Sequence, residues 1–151
     1  MENKTFTISV YSENNVGLLN RISVIFVIVV DTTEKWVKNI VGQIEKQIEV
    51  IKAFYHIDDE TIFLESAIFK INSSLLFDER QIQNIIKESH SEIVTVSRDF
   101  FVISKTGRRS EIDELYAKLK PFGIMQFVRS GRISVSKEKM EITSLLEELQ
   151  S

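Results

Sequence analysis

From Thr61 to Ser136 the hydrophobic pattern changes period in one order, and that order leaves few folds open. "TIFLESAIFKI" reads as a strand, and "DERQIQNIIKES" as a helix with Ile82, Ile85 and Ile86 turned inward. "EIVTVSR" and "FFVISKT" are two strands joined tightly around Arg98–Asp99. Ser110 is placed to cap the helix "EIDELYAKLK", whose inward face is Ile112, Leu115 and Leu119 and which stops at Pro121 and Gly123. "IMQFVR" and "RISVS" complete the strands, and a last amphipathic helix carries Ile142, Leu145, Leu146 and Leu149. Strand, helix, two strands, helix, strand is the split-βαβ or ferredoxin-like order. The expected fold class is therefore α+β, with two ferredoxin-like domains, residues 1–58 and 59–151.

The first half repeats this grammar with a piece missing. In "FTISVYS", Phe6, Ile8 and Val10 face one way and Thr7, Ser9 and Tyr11 the other, as in a half-buried strand. After the turn-prone "ENNVG", Leu18, Leu19, Ile22 and Phe26 fall on one helical face. "DTTE" (31–34) has the spacing of an N-cap with a capping-box Glu. Val37, Ile40, Val41, Ile44 and Ile48 form the stripe of the helix that follows, "EVIKAFYHI" is a strand, and "DDE" is a solvated turn. The order is β-α-β-α-β, one strand short. If Val27–Val30 were the third strand of a ferredoxin-like sheet, Phe26 and Val27 would sit at opposite ends of that sheet, roughly 17 Å apart. One peptide unit spans only ~3.8 Å.

Composition removes whole classes of function. A chain of 151 residues that is 43% hydrophobic and 27% charged can bury a core. A formal net charge of −3 argues against a nucleic-acid binder. With no cysteine there is no disulfide, thiolate metal site or Cys nucleophile. The run Val24–Val30 is too short to span a bilayer, and "MENKTFTISV" lacks the apolar core of a signal peptide. A cytoplasmic location, without membrane association, is the expectation.

"ISVYSENNVGLLNRISVIF" resembles the opening of an ACT domain, where a strand ends in Glu-Asn and is followed by Gly, Leu and an Arg-Ile helix. "DTTEKWVKNIVGQIEKQIEVIKAF" and the long stretch from "SEIVTVSRDFF" to "VRSGRISVSK" continue the likeness. The chain is thus similar to the small regulatory subunits of acetolactate synthase. The departure from that family falls between Phe26 and Val27, where its members have a second strand and a hairpin. Either a natural deletion removed an edge strand or a segment is missing from the sequence. The in-register flanks favour the missing segment.

The resemblance implies that Asn14, Asn15, Val16, Gly17, Leu18 and Leu19 bind a branched-chain amino acid, valine first among them. The physics is compatible. N–H groups at a helix N-terminus suit a carboxylate, Asn14 can donate and accept, Gly17 permits close approach, and Leu18 and Leu19 can flank an apolar side chain. A plain turn with an Asn cap reads the same residues equally well. The resemblance further implies a homodimer through the ACT domains and a large catalytic partner. That partner would carry thiamine diphosphate, magnesium and FAD, with no cofactor on this chain. A free-standing amino-acid sensor acting on another enzyme or a transcription factor is the alternative.

Other candidates are weaker. His56 and His90 lie in different domains without a ligand at metal spacing, and Asp58, Asp59 and Glu60 lack the pattern of a calcium loop. "TGRRS" (106–110) lacks the length and Lys of a P-loop. "RDFF" (98–101) reads as a hairpin with core aromatics, and Trp36 as packing beside the helix stripe. No nucleophile–base pair or paired carboxylates emerge, so a non-catalytic role is expected.

Overall fold

The computed structural model describes residues 2–13 and 22–139, and the isolated positions 144 and 148. The chain forms two compact units, Met1–Phe63 with Arg132–Ser151, and Leu64–Gly131.

The first unit contains β1 (Lys4–Glu13), β2 (Ile22–Thr32), α1 (Glu34–Glu45), β3 (Val50–Ile57) and a short 3-10 turn at Asp58–Glu60. Alternation along β1 turns Phe6, Ile8 and Val10 toward α1, and all three are buried with Val37, Val41 and Ala53. β1 is central and antiparallel to both neighbours, in the order β2-β1-β3.

β2 corrects the reading of the opening stretch. Val10 faces Phe26 and Ser9 faces Val27 in one unbroken ladder, so Phe26 and Val27 are consecutive strand residues. The helix expected through Ile22 and Phe26 is a strand at those positions. The physical reason is that Ile22, Val24, Phe26, Ile28 and Val30 also recur with period two, and the free side of β1 offers them a full set of backbone partners. Glu13 and Ile22 are register partners, so the connection 14–21 leaves and returns at the same end of the sheet. Among the described residues the unit therefore has ferredoxin-like strand order without the edge strand and first helix.

Two smaller expectations also change. Asp31 is not the cap of α1. It lies in β2 and accepts a 2.6 Å hydrogen bond from the Thr5 hydroxyl, while Thr33 takes the N-cap position without a side-chain cap. Ile48 lies past the end of α1 and is fully exposed.

The outer face of β1 is less open than alternation implies, because Thr7 is buried. Arg132 covers it. Its Nη1 donates to Thr7 Oγ1 at 3.1 Å and to Asp58 Oδ1 at 2.6 Å, and its guanidinium stacks 3.8 Å from the Phe63 ring centroid. The backbone N–H of Lys137 donates to the Glu60 carbonyl at 2.8 Å. These contacts of Arg132 and Lys137 lie within the first unit.

The second unit follows the order read from the sequence. β4 (Thr61–Asn72) leads into α2 (Ser73–Asp78) and α3 (Arg80–Glu88), then β5 (Glu92–Val96), β6 (Phe100–Gly107), α4 (Arg109–Leu119) and β7 (Ile124–Arg129). The sheet is antiparallel in the order β5-β6-β4-β7, and β8 (Ile133–Ser136) also pairs with β4. Ala67, Phe69 and Ile71 of β4 meet Phe101 and Ile103 of β6 beneath Ile82, Ile86, Ile112, Leu115 and Leu119 of the helices. Phe69 lies against Phe127 with ring centroids 4.8 Å apart.

Ser110 is not a cap: α4 starts one residue earlier, and the Arg108 N–H donates to Glu111 Oε2 at 2.6 Å. Chain reversal after α4 uses Gly123, whose φ of +87° disfavours any side chain. Ser144 and Glu148 are helical and exposed, and the rest of the last amphipathic helix lies outside the described residues. The fold is α+β with two ferredoxin-like units, the first of them reduced.

Candidate functional site

Asn14, Asn15, Val16, Gly17, Leu18 and Leu19 all lie outside the described residues. What is described is the anchorage of their loop. It is held between Glu13 of β1 and Ile22 of β2, at the end of the sheet where β3 begins.

That end of the sheet is braced by local contacts. Tyr11 meets Phe54 edge to face at 6.0 Å, and partial burial raises the pKa of the Tyr11 phenol. Lys52 lies 5.9 Å from the Phe54 ring centroid and pairs with Glu45 at 3.1 Å. Glu45 also accepts from the Ala53 N–H at 3.3 Å, tying the end of α1 to β3. β2 pairs only with β1 among the described residues, so its other edge presents backbone donors and acceptors without ladder partners.

The opposite end of β1 borders an open cleft of about 670 Å³. Lys4, Lys35, Lys38, Glu34 and Glu60 surround an apolar floor that includes Phe6 and Tyr55. Lys38 pairs with Glu34 at 3.0 Å, and that carboxylate is the main cause of its raised pKa, helped by Tyr55. Glu60 is engaged by the Ile57 N–H at 3.0 Å. The cleft has charged walls but no nucleophile beside a base.

The remaining candidates separate cleanly. His56 lies on β3 in the first unit, whereas His90 follows α3 in the second at φ +54°. No group of three or more His, Cys, Asp or Glu capable of holding a metal occurs among the described residues. At "TGRRS", the Glu111 carboxylate occupies the helix start that an anion would need. Phe101 is buried as expected of "RDFF", while Phe100 is covered by the Lys70 ammonium at 4.4 Å. Trp36 departs from expectation: it is 61% exposed. Sequence reading also missed the Arg132–Asp58 pair. The partners are 74 positions apart in sequence, and neither lies in a patterned run that would bring them together.

Residues 64–138 match the sequence family described as the small subunit of acetolactate synthase. The chain is 26% identical over 160 residues to an acetolactate synthase small subunit of Mycobacterium bovis, covering 91% of this chain and 95% of that protein. It is 31% identical over 104 residues to that of Bacillus subtilis, covering 69% of this chain and 60% of the relative. These matches together support the identification of the chain with the acetolactate synthase small subunits. A crystal structure of the small subunit from Thermotoga maritima matches in fold, with a TM-score of 0.76 at 19% identity over 91% of this chain and 99% of that one. The family match spans the whole second unit and runs on through β8. No helix among the described residues is long and apolar enough to cross a membrane.

Proposed function

We propose that this chain is a regulatory subunit of acetolactate synthase, which binds the large catalytic subunit, raises its activity and confers feedback inhibition by a branched-chain amino acid, valine foremost. The observation that carries the reading is the small-subunit family match across residues 64–138, joined to relatives of that name that align with nearly the whole chain. Thiamine diphosphate, magnesium and FAD belong, in this reading, to the catalytic partner and not to this chain.

Regulation then takes the form of a coupling free energy. An amino acid held by the 14–19 loop favours one arrangement of paired subunits, and the catalytic site responds to that arrangement. Pairing through the β2 edge suits this scheme. The strand carries one charged residue, Asp31, and in an antiparallel pair centred on Val27 that residue would face Ser23 of a second copy, with no like charges opposed. Neither Pro nor Lys protects the edge. Without the family's usual second strand, the neighbouring wall of the effector seat would come from the partner copy's β2.

Size-exclusion chromatography of the chain mixed with its large subunit tests the association. Co-elution at micromolar concentration is expected. Separate elution across a range of ratios would instead support the free-standing sensor.

A further inference from the structure

The chain leaves the first unit between Phe63 and Leu64 and returns to it between Gly131 and Arg132. On the first-unit side these two crossings meet. Phe63 belongs to β4, and Arg132 immediately precedes β8, which pairs with β4. The Arg132 guanidinium lies 3.8 Å from the Phe63 ring centroid. Its Nη1 also donates to Asp58 Oδ1 at 2.6 Å, just past the end of β3, and to Thr7 Oγ1 at 3.1 Å, within β1. A planar guanidinium can stack and donate at once, which a lysine ammonium cannot. The Arg132 side chain is only 15% exposed and Thr7 is fully buried, so these are not ordinary surface contacts.

We infer that Arg132 is a positioning residue that pins both crossings to β1, so that they loosen together when it is lost. The neighbouring contacts do not supply this link. Glu60 accepts from the Ile57 N–H at 3.0 Å and the Thr61 hydroxyl donates to the Asp58 carbonyl at 3.3 Å, so the turn before β4 is tied mainly to itself. The Lys137 N–H joins that turn to the returning chain through the Glu60 carbonyl, but this bond does not reach β1. Arg129, three residues before Arg132, pairs with Glu65 and Asp113, and all three lie in the second unit. Removing the Arg132 guanidinium takes from the buried Thr7 hydroxyl the donor that serves it and from Asp58 its cation. The consequence for regulation rests on the regulatory reading above. β1 ends at Glu13, where the 14–19 loop begins, and crossings pinned to that strand pass on a change in it, whereas loose ones absorb it.

Hydrogen exchange read by mass spectrometry on the full chain tests the pin. Arg132→Met should speed exchange at residues 60–63 and 133–136 together, by about tenfold or more, while β6 and α4 keep their protection. Thr7→Val combined with Asp58→Asn removes the hydroxyl and the charge that hold Nη1 and should give the same pattern. That double variant decides the matter if Arg132→Met fails to fold. Arg109→Met, which removes an exposed arginine from α4, should alter neither crossing. Faster exchange spread evenly over the chain, or confined to one crossing, would overturn the inference. With the large subunit added, Arg132→Met should lose about half or more of the inhibition seen at saturating valine, while calorimetry shows valine binding to the chain unchanged. Full inhibition in a variant with loosened crossings would overturn the regulatory consequence. A wild-type chain that neither binds nor responds to valine would instead overturn the regulatory reading, and the exchange pattern would still decide the pin.

Discussion

Replacing Phe69 by Ala is expected to cost about 3–5 kcal/mol of stability, the range for removing an aromatic ring from a packed core. Phe69 is completely buried at the centre of β4. It lies between Ile103 of β6 and Phe127 of β7 in the ladders and beneath the helices. No solvent can fill the space it leaves, so the lost transfer energy is joined by the cost of a cavity. A domain of ordinary stability holds about 5–15 kcal/mol in total, so the second unit would be left near its unfolding threshold. Denaturant titration followed by circular dichroism measures the loss. Substitution at exposed Val128, on the other face of the same sheet, should change stability by less than about 0.5 kcal/mol. A cost for Phe69→Ala as small as that for Val128→Ala would contradict the core described for this unit.

The largest effect on regulation is expected at the 14–19 loop. If Asn14 bonds the charged groups of an amino-acid effector, Asn14→Ala loses one or two hydrogen bonds worth roughly 1.5–3 kcal/mol, or about ten- to a hundredfold in inhibitor affinity. Gly17→Val should weaken inhibition at least as much by closing the approach of the backbone. Activation should persist in both variants, provided it uses surfaces away from the loop. Valine inhibition curves on the reconstituted enzyme read the effect. Normal inhibition of both variants would make "ENNVGLL" a turn and move the effector seat elsewhere. A fall in melting temperature without ligand would show a structural role instead.

The second unit was legible because each of its segments has one dominant period. Ala67, Phe69 and Ile71 alternate along β4, while Ile112, Leu115 and Leu119 keep helical spacing, and the structure buries all six. The stretch from Leu18 to Val30 satisfies both periods. Ile22 and Phe26 fit a helix by their separation of four, and a strand when Val24, Ile28 and Val30 are counted with them. Local pattern cannot choose between these, and the free side of β1 does. The N-terminus of α1 was misplaced for a related reason: Asp31 had a closer use in the ladder beside Thr5. The contacts of Arg132 were invisible because its partners Thr7 and Asp58 are brought to it only by the return of the chain to the first unit.

For the site, the sequence offered the loop residues, and the structure describes the strand residues that flank them, Glu13 and Ile22, with the contacts of Tyr11, Phe54 and Lys52 at the same end of the sheet. The exposure of Trp36 could not be read from its place beside an apolar stripe.

The regulatory reading is tested most directly by the rate of acetolactate formation from pyruvate, measured for this chain alone, for its large subunit alone, and for the two together with and without valine. The chain alone should form none, the mixture should exceed the rate of the large subunit, and valine should reduce the mixture's rate far more than that of the large subunit. A rate unchanged by the chain, with the same response to valine in its presence and absence, would contradict the proposal.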